Sequence, residues 1–318
     1  MMKVALITGA FGQDGSYLTE HLLGLGYRVF KGTRRVLDTP DEMAVYCDVR
    51  DELSIRSAIK KAWPDEIYNL AGQVYVPISW EQPAETFDVN TSGLARILKV
   101  VEQVKKDTKV YQASSSEMFG NHEGTCNDQT PMNPTSPYGV SKYAAHRLVS
   151  LYRSKGLYVV AGILFNHESP RRGHEMVTRK IAHQCAQWAH GSKDMLSLGN
   201  MDSRRDWGFA GEYVKAMQLM LQPEIATDYV LGTGESHSVA DFLDAARIEM
   251  GLDEDFVKGH TITDTRLTRT QEIYNMRADN TKARVCLGWE SEIGFRELVR
   301  LMTWEEFNKL LGKEKVTA

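Results

Sequence analysis

Seven residues near the start of the chain constrain its fold more than any other stretch. An apolar run over residues 3–8 passes directly into Gly9-Ala10-Phe11-Gly12-Gln13-Asp14-Gly15, a G-x-x-G-x-x-G. Residues 17–25 then carry apolar side chains at helical spacing. Glycines in such a turn let the backbone approach a diphosphate closely. The helix that follows offers free N–H groups and a partial positive charge to the same anion. A glycine triplet taken alone also suits a tight turn. Its position straight after the first strand is what points to dinucleotide binding.

The alternation that begins there continues. Residues 27–32, 44–47, 66–70, 109–113 and 158–164 read as strands, and residues 53–62, 89–104 and 138–155 as helices. Repeated units of this kind predict an α/β fold of Rossmann type, a doubly wound parallel sheet covered by helices on both faces. After Asn166 the alternation weakens. Residues 178–191 read as a helix, Arg204-Arg205-Asp206 leads into a helix ending near Leu221, residues 228–231 read as a strand, and the remainder is mainly helical. No repeat, low-complexity tract or long linker separates these parts, so the lobes are expected to interleave. Residues 1–166, with about 204–233, would form the dinucleotide-binding domain. Residues of about 167–203 and 234–318 would form a smaller, mostly helical substrate-binding lobe. A chain of 318 residues is ample for both.

Composition excludes several classes. Hydrophobic residues at 42% and charged residues at 25% are ordinary for a globular chain. The net charge of −4 gives no electrostatic reason to expect nucleic acid or an anionic membrane as a partner. No apolar run approaches membrane-spanning length. The opening MMKVALITGA reads as a buried strand rather than a signal peptide. Cys47, Cys126, Cys185 and Cys286 are far apart and include no C-x-x-C pair, which suits reduced thiols and a cytoplasmic setting. His183, Cys185 and His190 raise the question of a metal, but no matching ligand cluster stands elsewhere, and none is expected.

Three further groups of residues carry chemistry. The second strand ends in Thr33-Arg34-Arg35, where an acidic residue would hold the ribose hydroxyls of NAD. Two guanidiniums suit the 2′-phosphate of NADP instead, although a solvated basic turn would look the same. Asp48 and Val49, after the third strand, would flank the adenine. Tyr138-Gly139-Val140-Ser141-Lys142 places an ammonium one helical turn from a phenol, where it and the charge of a bound nicotinamide are expected to lower the phenol pKa and make Tyr138 a usable base. The strand before it ends in Ser114-Ser115-Ser116-Glu117. Oxidation of a sugar carbon needs only the tyrosine, lysine and hydroxyl. Elimination also needs a base for the carbon acid beside the new ketone, and Glu117 would supply it unless it is merely an exposed loop carboxylate.

The chain resembles the GDP-mannose 4,6-dehydratases over almost its whole length. The resemblance rests on ALITGAFGQDGSYL, PDEIYNLAGQ, YQASSSEMFG, SPYGVSKYAAHR, GILFNHESPRRG, MVTRKIA, LGNMDSRRDWGFAGEYVKAMQLML and the terminal LGW. It implies a catalytic set of Ser115, Glu117 and Tyr138, with Lys142 orienting both the tyrosine and the nicotinamide ribose. It implies an NADP site lined by Gly9, Phe11, Gly12, Gln13, Asp14, Gly15, Leu70, Ala71, Gly72, Gln73, Val74, His167 and Arg172, beside Arg34, Arg35, Asp48 and Val49. Asn166, Val177, Lys180, Gly199, Arg205, Arg269 and Glu272 would hold a GDP-hexose. The implied reaction oxidises C4, eliminates water across C5 and C6, and reduces C6. A homo-oligomer, dimer or tetramer, is implied as well.

Some positions depart from the family's habit. Serine stands at 115 where threonine is usual, Phe11 where a small residue is usual, and Val74 where a serine is common. The segment between Arg35 and Asp48 is short, and in relatives it helps to build a tetramer. Residue types alone leave other readings open: a dehydratase of another GDP-sugar such as a GDP-heptose, an epimerase, reductase or decarboxylase of the same fold, or a non-catalytic NADP-sensing protein.

Overall fold

The first apolar run forms β1 (Val4–Thr8), and its side chains are almost wholly buried because a parallel strand is covered on both faces. A computed structural model describes residues 2–35, 37, 41–122, 124–267 and 271–312. Six further strands join β1: β2 (Arg28–Thr33), β3 (Ala44–Tyr46), β4 (Glu66–Asn69), β5 (Lys109–Ser115), β6 (Val159–Leu164) and, after a short parallel pair of β7 (Asn166–Glu168) with β8 (Trp207–Phe209), β9 (Tyr229–Leu231). The large sheet is parallel throughout, in the order β9-β6-β5-β4-β1-β2-β3. The chain runs outward from β1 through β2 to β3 and then returns to the other side of β1 at β4. That reversal opens a crevice beyond the carboxyl ends of β1 and β4, the place where open α/β sheets take ligands.

Two helical layers cover the sheet. α1 (Gln13–Gly24) and α6 (Ala210–Leu219) lie on one face, where Leu18, Leu22, Val214 and Met217 share a core with Ile7 and Tyr111. α2 (Glu52–Ala62), α3 (Gly93–Val104) and α4 (Pro137–Ser154) lie on the other, burying Ile55, Ile59, Leu94, Leu98, Ala145 and Val149 against Leu6 and Val110. Asp51 starts α2 by accepting hydrogen bonds from the Leu53 and Ser54 amides, which satisfies two of the helix's free donors. Ser136 starts α4 in the same way, accepting from the Gly139 amide at 3.0 Å.

The later segments build a second core. α5 (Val177–Ala189), α7 (Val239–Glu249) and α8 (Phe295–Leu310) enclose Ile181, Cys185, Trp188, Phe242, Leu298 and Met302. Among the described residues, no helix is long and apolar enough to cross a membrane.

One expected element differs. Residues 89–104 read as a single helix, but the chain makes a π-turn over Asp88–Ser92 before α3 begins at Gly93. The extra residue aims Asn90 inward. Its Oδ1 accepts from the Gln73 amide at 2.9 Å, and its Nδ2 donates to the Gln73 carbonyl and to Ser141 Oγ, each at 3.0 Å. Those bonds offset the irregular turn, as π-turns at functional sites commonly require.

Candidate active site

The glycine turn closes the carboxyl end of β1, and its geometry admits no larger side chain at two positions. Gly9 has φ of +68°, and a Cβ there would fall 2.9 Å from the Ala71 amide nitrogen. A Cβ on Gly15 would fall 2.3 Å from the Gly9 carbonyl oxygen, so α1 starts directly against the turn only because that atom is missing. Thr8 Oγ1 accepts from the Leu70 and Ala71 amides at 3.2 and 3.1 Å and ties the loop after β4 to the same spot. A Cβ on Gly72 would stand 3.6 Å from Lys142 Nζ, which brings the 70–74 segment up to α4. This cradle of small residues, backbone donors and one ammonium fits a dinucleotide diphosphate and ribose. Phe11 and Val74 lie exposed at its rim.

Ser115 is the last residue of β5 and Tyr138 the second of α4, and packing of α4 across β5 brings them together. Ser115 stands beside the Tyr138 phenol and favours its ionised form. Ser115 Oγ also accepts from the Glu117 amide at 3.3 Å, which turns the chain so that Glu117 is buried beside both. Lys142 lies one turn beyond Tyr138, with Nζ donating to the Ala113 carbonyl at 3.0 Å and 5.9 Å from the Tyr138 ring centre. The four side chains expected from sequence thus share one buried corner at the mouth of the crevice.

Within the protein alone, burial outweighs the nearby ammonium in setting their acidity. Burial pushes Tyr138 up to about 12; Ser115 pulls it down, and the Glu117 charge adds to the rise. Burial also brings Lys142 down to about 8, against the pull of Asp14. Desolvation dominates because Tyr138 and Lys142 are only 7% and 6% exposed, and Nζ is directed to a carbonyl rather than to the phenol oxygen.

Other expected residues fall around this corner. Asp14 meets His167 Nε2 at 2.8 Å, and His167 Nδ1 lies 2.8 Å from the Phe165 carbonyl. Burial acts against both charges, yet the pair prevails: Asp14 lies below the ordinary carboxylate value and His167 above the ordinary imidazole value. Gln13 Nε2 donates to the His167 carbonyl at 3.0 Å. Arg172 pairs with Glu168 at 3.1 Å. Arg34 and Arg35 are exposed beyond β2, free of the core that holds Val49. Asp48 is gripped by Arg50 at 2.8 and 3.1 Å; that bonding lowers its pKa and commits the carboxylate to a neighbour.

Of the residues expected to hold a GDP-hexose, Asn166 pairs with Trp207 between β7 and β8, and Val177 opens α5. Lys180 Nζ donates to the Ser197 carbonyl at 2.6 Å, and Gly199 abuts the Leu267 carbonyl. Arg205 donates to the Ile273 carbonyl at 2.7 Å and lies 3.6 Å from Glu272, so residues far apart in sequence meet. Arg269 lies outside the described residues.

His183, Cys185 and His190 do not converge. Cys185 is buried in the second core and His190 stacks on Phe307. His183 meets Glu306 at 2.8 Å, with His174 nearby, but Arg179 and Lys309 already balance the Glu306 charge at 3.1 and 3.3 Å.

Sequence reasoning missed several supports. Asp206, fully buried, accepts from Thr233 N and Oγ1, Gly234 N and Ala278 N at 2.7–3.1 Å and holds Arg205's strand in place. Ser114 and His146, 3.1 Å apart and buried, seat α4 on β5. An Asp following Arg-Arg, and a His two turns beyond Tyr138 on the same helix face, were the available signals.

A doubly wound sheet with a glycine cradle at its switch point and a Ser-Tyr-Lys corner beside it is the architecture of a Rossmann-type enzyme. The fold is that of MoeE5 in complex with UDP-glucose and NAD, with a TM-score of 0.86 at 24% identity over 97% of this chain and 99% of that one. The family model described as GDP-mannose 4,6 dehydratase matches residues 6–302. GDP-mannose 4,6 dehydratase 1 of Arabidopsis thaliana is 44% identical over 99% of this chain and 92% of its own length, and the human GDP-mannose 4,6 dehydratase is 39% identical over 94% and 90%. The chain belongs to the GDP-mannose 4,6-dehydratase family.

Proposed function

We propose that the protein carries out the reaction for which its family is named, converting GDP-D-mannose to GDP-4-dehydro-6-deoxy-D-mannose. The observation that carries this reading is Glu117, buried beside Ser115 and Tyr138 at the end of β5. A plain alcohol dehydrogenase or epimerase needs no second base there. Tyr138, beside Ser115, would take the C4 hydroxyl proton in its phenolate form, which Ser115 and the positive charge of a bound nicotinamide would favour against burial, and Lys142 orients the corner. A nicotinamide dinucleotide held by the Gly9 to Gly15 turn, Leu70 to Val74 and Lys142 would supply the hydride-transfer chemistry that oxidation at C4 and reduction at C6 require. Glu117 takes the C5 proton, made acidic by the adjacent ketone. Two protons are removed, from the C4 hydroxyl and from C5, and two are added, one to the hydroxide that leaves C6 and one, exchanged with solvent, to C5, so the net change is loss of one water.

MoeE5, which shares the fold, was solved with NAD, which supports a nicotinamide cofactor, and Arg34 and Arg35 favour NADP over NAD, since their guanidiniums suit a 2′-phosphate. Gly9 to Gly15, Leu70 to Val74, Lys142, His167 and Arg172 would hold it, in a domain of residues 1–166 with about 204–233. Asn166, Val177, Lys180, Gly199, Arg205, Arg269 and Glu272 would hold the GDP-sugar from the other lobe. The same reading takes the protein as a cytoplasmic homo-oligomer.

Incubation of the purified protein with GDP-mannose, in water and in deuterium oxide, tests the reaction. A product lighter by one water, with solvent deuterium at C5, is expected. Dehydration of another GDP-hexose or a GDP-heptose while GDP-mannose is left intact would overturn the substrate assignment.

A further inference from the structure

Pro170-Arg171-Arg172-Gly173 presents two adjacent arginines that the structure sends in opposite directions. Arg172 turns back to Glu168, whereas Arg171 reaches across to α1. Its guanidinium lies 3.9 Å from the centre of the Tyr17 ring. Nη1 donates to Ser16 Oγ at 2.9 Å, and Nη2 reaches the Glu20 carboxylate at 2.8 Å. Tyr17 is backed edge-on by Phe209 of β8, with ring centres 5.5 Å apart, so the ring is fixed between the arginine and the small sheet.

The rest of the same segment is fastened to the same helix. Ser169 Oγ donates to Gln13 Oε1 at 2.8 Å, Gln13 Nε2 donates to the His167 carbonyl at 3.0 Å, and His167 meets Asp14 at 2.8 Å. Residues 167–171 are thus stitched to the first two turns of α1, directly behind the glycine cradle. Arg171 is the outermost stitch. Its ion pair with Glu20 is largely solvated and would by itself contribute little. The stacked, forked guanidinium is a stronger element, because a planar cation on a backed ring loses little freedom on bonding.

We propose that Arg171 is a positioning residue that clamps the His167–Arg172 segment onto α1 and thereby sets how slowly the bound dinucleotide leaves. The proposal rests on the reading that NADP occupies the glycine cradle. A reaction that uses and restores its cofactor within one cycle gains from slow release, since the cofactor need not exchange between turnovers.

The test follows release directly. Protein loaded with NADPH is mixed with excess NADP+, and the loss of bound-nucleotide fluorescence is timed for wild type, Arg171→Ala and Arg171→Lys. Release about two- to fivefold faster is expected in Arg171→Ala, the order of magnitude of an exposed cation–ring contact. Arg171→Lys, which keeps the charge but not the fork, should recover only part of the difference. Melting temperatures with and without saturating NADPH separate this role from simple bracing: the nucleotide-induced rise should shrink in Arg171→Ala while the nucleotide-free value changes little. Tyr17→Leu removes the ring from the other side and should speed release as well, which keeps the test decisive if one variant folds poorly. A wild-type rise and release rate that Arg171→Ala leaves intact overturn the clamp alone. A wild-type protein that shows no NADPH-induced rise overturns the dinucleotide reading and the clamp together.

Discussion

Glu117 is the residue on which the proposed chemistry turns, and its neighbours allow the step it serves to be isolated. Ser115 and Lys142 stay in place in Glu117→Gln, so oxidation at C4 should still occur. Removal of the C5 proton should slow by roughly 10²–10⁴-fold, the usual loss when a positioned base is removed. The variant mixed with GDP-mannose should accumulate reduced cofactor, seen by absorbance, with little 6-deoxy product. Tyr138→Phe should block the first step and show no reduced cofactor. Product formation by Glu117→Gln at close to the wild-type rate would remove the carboxylate from the mechanism. The second residue-level prediction concerns the cofactor. Arg34 and Arg35 are exposed at the end of β2, outside the core, so replacing both with Ala should leave the fold intact. NADP binding should weaken by about tenfold or more while NAD binding barely changes, because only NADP offers a 2′-phosphate to a guanidinium. Titration with each dinucleotide decides it, and equal losses would mean that the arginines only shape the turn.

At the scale of elements, the glycine turn and α1 act as one unit. Gly15→Ala places a methyl group 2.3 Å from the Gly9 carbonyl and 2.6 Å from the Ala10 Cα, and both are backbone atoms that cannot swing aside. The helix start must move away from β1, so dinucleotide affinity should fall by at least tenfold while far-ultraviolet dichroism stays close to wild type. A Gly15→Ala protein that binds NADP normally would show that the turn is looser than this packing implies. The strands, most helix spans and the spacing of Tyr138 and Lys142 were legible in the sequence because each depends on neighbours within a few residues. The break in the helix over residues 88–104 was not. Nothing in its apolar period reveals that Asn90 has to reach Gln73, a contact made only once β4 and α4 have packed.

At the scale of the whole molecule, the Asp14–His167 pair joins α1 to β7 and gives stability a predictable pH window. Burial opposes both charges, but each partner overcomes it, with Arg172 supporting Asp14 and opposing His167, and Tyr213 stacked flat on the imidazole. Asp14 has a lowered pKa, so its contribution is present above the ordinary carboxylate value and fades as pH falls through the lowered one. His167 has a raised pKa, so its contribution is whole below the ordinary imidazole value and fades as pH rises through the raised one. Asp14→Asn should flatten both shoulders and cost about 2 kcal/mol between them, less than the 3–5 kcal/mol of a fully buried pair. Urea midpoints across pH measure this, and a variant whose profile still shows both shoulders would assign them elsewhere. Arg205 with Glu272, Asp14 with His167, and the divergence of Arg171 from Arg172 share one property: none can be read from local spacing. By itself the sequence determined the parallel α/β sheet, the glycine cradle and the Ser115, Glu117, Tyr138 and Lys142 set, since strand and helix periods and one-turn spacings are local geometry. Only the tertiary structure decided which distant charges meet, and that the protein's own burial raises the Tyr138 phenol to about 12. Desolvation and long-range pairing depend on everything packed around a group, and chain order does not encode that environment one residue at a time.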